Sequence, residues 1–362
     1  MKKILGLLLV CLSLSAPAAG FAAQQQMIVK LKSGSALAEK AEKRLLGGKL
    51  LLITADPAQL TVNPDVEWFE PNLAIHGTMG GANPINGVDK NAWGVKQIAA
   101  NDLWIEGRTG KNVIVAVLDS GVASDHPALA KKLIEGWNAI AGNKKTEDDH
   151  GHGTHVAGVI AGDKIGVAPD AIIMPVKVLD GELGGTVATA VSGIEFAVKH
   201  GAKVICSSWI ADGFSQALYD AIKEAQAAGI VFVTGAGNGA SNNDTISEYP
   251  ASYDLDNIIS VAATDPDDKL TSGSNFGVTT VHVAAPGLNI YSSVLDKKYD
   301  YYSGTSMAAA HVAGIAAIMA QQGIKNMRQK IMATSDAKPN LKVIAHGRVN
   351  AFKAAHSAPF ED

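Results

Sequence analysis

Hydrophobic positions fall into two regimes along the chain. From residue 93 onward, short and nearly continuous apolar runs recur at 113–118, 171–178, 203–207, 230–234 and 258–262. Runs of this length predict strands buried on both faces. Between and after them, 186–200, 214–228 and 305–322 read as helices. In the second of these, Phe214, Ala217, Leu218, Ala221, Ile222 and Ala225 fall on one face. Buried strands alternating with such helices predict an α/β fold, a mostly parallel sheet covered by helices on both faces. Ligands of these sheets bind at the carboxyl ends of the strands.

The front of the chain is patterned differently. MIVKLKS alternates like a strand, ALAEKAEKRLLGG reads as a helix with a glycine stop, KLLLIT is a second strand, and VEWFEPNLAI a last one. Together they predict a small α+β unit with too little apolar area to be stable alone. It is expected to fold against a partner surface. The Gly- and Asn-rich stretch HGTMGGANPINGVDKNAWG then reads as a linker open to proteolytic nicking. The expected organisation is 1–22 as a signal peptide, 23–80 as the small unit and start of the linker, and 81–362 as the main domain.

Composition narrows the partners. The chain of 362 residues is 47% hydrophobic and 18% charged with a formal net charge of −4, so it suits a compact enzyme with a large core. No block of lysine or arginine stands out, which speaks against nucleic acid. Lys2 and Lys3 precede an apolar run at 4–15 and two small-x-small patterns, as in a secretory signal peptide. That run is too short for a stable membrane span, and no later stretch is long enough. Export to the periplasm or medium as a monomer, with no membrane partner, is the expectation. Cys11 leaves with the signal, so Cys206 has no partner for an intramolecular disulfide.

Four short motifs carry candidate chemistry. VIVAVLDSG puts Asp119 at the end of a buried strand. A capping role is the ordinary reading there. A dinucleotide site would need G-x-G-x-x-G, and an aspartic protease a second such carboxylate; both are missing. DDHGHGTHVAGVIAG supplies His150, His152 and His155, which fit either a metal or a base, although no H-E-x-x-H is present. TSMAAAHVAG puts Ser306 at a helix start, where serine is a good N-cap. The same place offers backbone N–H groups to an oxyanion. VTGAGN brings Asn238, either a turn residue or an amide donor. Jointly the four specify acid, base and nucleophile in the order Asp, His, Ser. Asp119 would fix and charge-stabilise His152, and His152 would deprotonate Ser306. Asn238 and the Ser306 N–H would hold the oxyanion. The order and the missing G-x-S-x-G exclude an α/β-hydrolase lipase.

At these residues the sequence resembles the subtilisin-like serine proteases, over about 93–355. VAVLDSG, HGHGTHVAG, GAGN and GTSMAAAHVAG match the family's blocks in order, and GRVNAFKAA its closing segment. The resemblance implies a secreted serine endopeptidase made as a zymogen, with the front unit as its inhibitory propeptide and self-cleavage in the linker. There is little room between KLLLIT and VEWFEPN, which implies a shortened propeptide. By the same resemblance Gly184 and Gly185 form one substrate-pairing edge, and Ser208, Trp209 and Ile210 the other. Peptide substrate lies extended between them. Gly235 belongs to the substrate-binding GAGN block. Ile210 stands where glycine is usual, and is expected either to narrow the primary specificity pocket or to face the core. Glu248, before Tyr249-Pro250, would lie at the base of that pocket and favour lysine or arginine there. No cofactor or metal is required. Weak calcium sites stay open, but AGDKIGVAP lacks the family's asparagine-rich loop, and Asp163 alone cannot supply six to eight oxygens. A non-catalytic peptide-binding relative would have lost a triad residue, and none is lost. Ala310 replaces the usual proline and points to altered partitioning of an acyl-enzyme between water and amines, as in a peptide ligase.

Overall fold

A computed structural model describes residues 24–33, 35–78 and 93–357. The signal-peptide expectation and the linker from 79 to 92 lie outside the described residues.

The front unit is a four-stranded antiparallel sheet. Its strands are β1 (Gln25–Leu31), β2 (Lys43–Leu45), β3 (Leu50–Ala55) and β4 (Val66–Pro71), in the order β2-β3-β1-β4. A short helix α1 (Pro57–Thr61) starts at Asp56, whose carboxylate accepts the Ala58 N–H. The helix predicted over ALAEKAEKRLLGG does not form. One 3-10 turn covers Ala36–Lys40, and the chain then extends into β2. The competing gain is tertiary: Lys43, Arg44 and Leu45 pair with β3, and Leu45 and Leu46 are buried. The single strand predicted over VEWFEPNLAI is two strands. It breaks after Pro71, and β5 (Ala74–Gly77) leaves the front sheet altogether.

The main domain carries, in chain order, β6 (Ile114–Asp119), β7 (Trp137–Asn138), α2 (His152–Ala161), β8 (Ile172–Lys177) and β9 (Gly184–Thr186). Then come α3 (Val187–Lys199), β10 (Val204–Ser207), β11 (Trp209–Ala211), α4 (Gln216–Ala227), β12 (Val231–Gly235), β13 (Ile258–Thr264) and β14 (Val283–Pro286). A hairpin of β15 (Ile290–Ser293) and β16 (Tyr299–Tyr302), α5 (Thr305–Gln321), β17 (Asp336–Ala337) and β18 (Gly347–Arg348) follow. Nine strands form one sheet in the order β17-β18-β14-β13-β12-β10-β6-β8-β7, parallel except for β17. All five predicted strands and all three predicted helices of this domain form.

The sheet is buried on both sides, as its continuous apolar strands require. On one face α2 and α5 pack over Val115, Val117, Cys206, Val233 and Val261. On the other, α3 and α4 pack over Ala116, Leu118, Ile205 and Phe232. Burial pushes the Cys206 thiol up to about 12, so it is an inert core group. The front unit sits on the second face: Ile28, Leu45, Leu46, Leu50 and Leu52 belong to the same apolar cluster as α3 and α4.

Candidate active site

Five element ends converge. Asp119 closes β6, Ser207 closes β10 and Gly235 closes β12, all at carboxyl ends of parallel strands. His152 opens α2, and Ser306 is the second residue of α5. Gly153 lets α2 approach the end of β6, since a Cβ there would collide with the Gly121 carbonyl oxygen. Gly304, at φ 140°, makes the turn that starts α5.

Asp119 and His152 are joined. His152 Nδ1 lies 2.8 Å from Asp119 Oδ1, both side chains out of solvent. Complete burial on its own disfavours the imidazolium. The adjacent Asp119 carboxylate overrides burial, so the His152 pKa lies above the ordinary histidine value. The Thr78 carbonyl acts in the same direction, although Nε2 makes no hydrogen bond among the described residues.

Asp148 organises this corner, a residue the motif reading quoted but gave no role. Its Oδ1 accepts Ser120 Oγ (2.8 Å), His150 N (3.0 Å) and Gly151 N (2.9 Å). Its Oδ2 accepts Thr154 N and Thr154 Oγ1. The carboxylate thus fills the open N–H groups at the start of α2 and ties them to the chain after Asp119. The usable signal was an acid four residues before His152, at a helix N-terminus.

His155 is buried, stacks on Tyr302 at 4.3 Å and donates from Nε2 to the Ile290 carbonyl (2.9 Å). Burial pushes it down to about 3. Burial and then the neighbouring His152 also lower His150. Among the described residues no group of three or more His, Cys, Asp or Glu is placed to hold a metal.

Asn238 is oriented by the nucleophile's helix. Its Oδ1 accepts Thr305 N (2.9 Å) and Thr305 Oγ1 (3.1 Å). That fixes Nδ2 as the other end of the amide, a buried donor with no partner among the described residues. Gly235 lies beneath: a Cβ there would press on Thr305. Gly235 therefore serves the packing of α5. Ala310 is buried within α5, one helical turn after Ser306, so its N–H faces the Ser306 carbonyl.

The cleft is filled by the chain itself. β5 lies between β9 and β11, antiparallel to both. Gly77 pairs with Trp209, His76 with Ile210 and with Gly184, and Ile75 with Ala211 and with Gly185. Backbone bonds continue past the strand: Gly77 N donates to Leu183 O (2.9 Å) and Thr78 N to Ser208 O (3.4 Å). Thr78 ends on the nucleophile. Ser306 Oγ donates to the Thr78 carbonyl oxygen at 2.7 Å, and Thr78 Oγ1 lies 3.0 Å from the same hydroxyl. Ser306 is thereby turned from His152.

The predicted substrate edges are these two edges. Ile75, Trp209 and Ala211 share the inner, buried face. Ile210 is half-buried on the outer face, opposite His76. Glu248 is half-buried beside Gly237 and Asn275. Burial raises its pKa, and a hydrogen bond with Asn275 opposes the rise.

Comparison with known proteins gives the family of the chain. Residues 110–345 match the family model described as the subtilase family. Thermitase of Thermoactinomyces vulgaris is 39% identical over 271 residues, 72% of this chain and 95% of thermitase. Subtilisin DY of Bacillus licheniformis is 35% identical, over 73% of this chain and 98% of its own. The solved structure of fervidolysin from Fervidobacterium pennivorans, titled a keratinolytic enzyme related to subtilisin, superposes with a TM-score of 0.80 at 27% identity. The match covers 94% of this chain and 62% of the fervidolysin chain. The chain belongs to the subtilase family and is a serine endopeptidase, a hydrolase of peptide bonds.

Proposed function

We propose that the protein is a secreted zymogen whose Asp119, His152 and Ser306 form the catalytic triad, and that its first substrate is its own Thr78–Met79 bond. The observation that carries this is the Thr78 carbonyl, held 2.7 Å from Ser306 Oγ by a strand bound as a substrate would be.

Ser306 Oγ attacks the Thr78 carbonyl carbon, and its proton passes to His152 Nε2. Asn238 Nδ2 and the Ser306 N–H hold the oxyanion that forms. Collapse breaks the bond to the Met79 nitrogen, which takes the proton from His152. The Thr78 ester on Ser306 is then hydrolysed by water through the same base. The Ser306 hydroxyl must first rotate from the Thr78 carbonyl toward Nε2. Two buried groups without partners among the described residues, His152 Nε2 and Asn238 Nδ2, stand ready for that turn. Residues 24–78 then remain as an inhibitor, with β5 blocking both substrate edges. Export rests on the reading of residues 1–22; among the described residues no helix is long and apolar enough to cross a membrane.

The test is N-terminal sequencing and mass spectrometry of the expressed full chain beside its Ser306→Ala variant. The expected products are a body starting at Met79 and a fragment ending at Thr78, with the variant left as one chain. A variant processed at the same bond would refute self-cleavage. A serine-directed phosphonate should label Ser306 in the processed body.

A further inference from the structure

We propose that Asp212, with Asp180 opposite it, makes this enzyme select a basic residue at the third position upstream of the bond it cuts. The inference rests on the reading above that β5 occupies the cleft as substrate does, so that Thr78, Gly77, His76 and Ile75 are the first to fourth residues before the cut.

Neighbouring residues of a strand point to opposite faces, and directly paired residues point to the same one. Ile75 points inward and is buried, so His76 points outward. Ile210, its partner on β11, shares that outer face, and so does Asp212 two residues on. The contact is direct: His76 Nε2 is 3.1 Å from Asp212 Oδ1. Asp212 is also tied to the cleft by its backbone, since its N–H donates to the Ala74 carbonyl (3.2 Å). On the opposite edge His76 pairs with Gly184. A Cβ on Gly184 would sit 3.5 Å from both carboxylate oxygens of Asp180. Asp180 is held there by N–H groups of Glu182 and Gly184, both at 2.9 Å. Glycine at 184 thus leaves this carboxylate open to the outward side chain of the substrate. Two acids from two different edges flank one substrate position, and the chain's own occupant is a histidine.

The expected size is modest because the groups are half-exposed. Exposed pairs change affinity by about two- to fivefold, and salt weakens them. Peptides with Ile-X-Gly-Thr before the cut, differing only in X, isolate the effect. Threonine at the first position keeps Glu248 out of the comparison. With processed enzyme titrated by phosphonate, kcat/KM should fall in the order Arg and Lys, Gln, Glu, by about threefold a step at low salt. One molar salt should flatten the series. Asp212→Asn should shrink the Arg-to-Glu ratio, and Asp212→Lys should invert it. A ratio unchanged in both variants overturns the proposal while cleavage after threonine upholds the reading of β5. Failure to cut any of these peptides after threonine overturns both.

Discussion

The front unit and the main domain solve the same problem in opposite ways. The main domain covers both faces of its sheet with its own helices. The front sheet covers one face only. Met27, Val29, Leu51, Ile53 and Leu60 form a small private core. The alternate residues Ile28, Leu50 and Leu52 are buried as well, but against α3 and α4. A strand read by alternation normally has a wet face. Here the second face becomes dry only through docking, so the front unit's fold is part of the docking itself. The polar contacts run both ways. Glu195 of α3 accepts Leu46 N (3.1 Å) and Gly47 N (3.0 Å) from the front unit. Glu70 of the front unit accepts Ser215 Oγ (2.7 Å), Gln216 N (2.8 Å) and Ala217 N (3.1 Å) at the start of α4.

The largest expected effect tests the self-sufficient half. Asp119→Asn should slow the processed enzyme by about 10⁴-fold, since it removes the carboxylate that orients and charges His152. It should also move the acidic limb of the pH profile. The base works neutral, and Asp119 raises its pKa, so kcat/KM should fall as pH drops through a value above 6.5. In the variant that limb should shift to lower pH. A limb that stays in place would mean that another group sets it.

The dependent half gives the next effect. Residues 24–78 alone should be largely unfolded by circular dichroism and should gain β signal on mixing with a Ser306→Ala main domain produced as a separate chain from Met79. A folded spectrum in isolation would break the contrast between the two regions.

The same contrast explains what could be read from sequence. Strands such as 114–119 and helices such as α5 are legible because their neighbours are supplied within the domain and their apolar periods are unambiguous. Asp119 and Asn238 are legible because their motifs mark the ends of buried strands, and His152 and Ser306 because theirs mark helix starts. ALAEKAEKRLLGG misleads because its helical pattern yields to pairing of β2 with β3 and to burial of Leu46 against the main domain. Thr78 was invisible. Nothing local marks it, and it meets Ser306 only through the register of β5 between two edges more than a hundred residues away in the chain. Asp212 and Asp180 were hidden for the same reason.

Glu70→Ala should weaken inhibition of the processed enzyme by added 24–78 segment by roughly ten- to a hundredfold, the scale of a lost charged hydrogen-bond acceptor. The carboxylate meets three donors at a helix N-terminus, where the dipole adds to its attraction. Equal inhibition by the variant would assign docking to apolar burial alone.

Lys49→Ala makes the sharpest control and should do least. Lys49 reaches Glu224 of α4 across the same boundary at 2.5 Å, as short as any contact of Glu70. Yet its side chain is 67% exposed and that of Glu224 is 39% exposed. Water already solvates both charges, and holding two long side chains in one geometry costs entropy. Its pKa is raised by the hydrogen bond to Glu224, but at so exposed a site that shift gives no measure of docking strength. The inhibition constant should change by less than about fivefold at low salt and by nothing measurable at high salt. If Lys49→Ala cost as much as Glu70→Ala, the helix-terminus account of docking would be wrong, and net charge across the boundary would be the better explanation. The distances are similar, so the two variants separate geometry from desolvation as the source of the attachment.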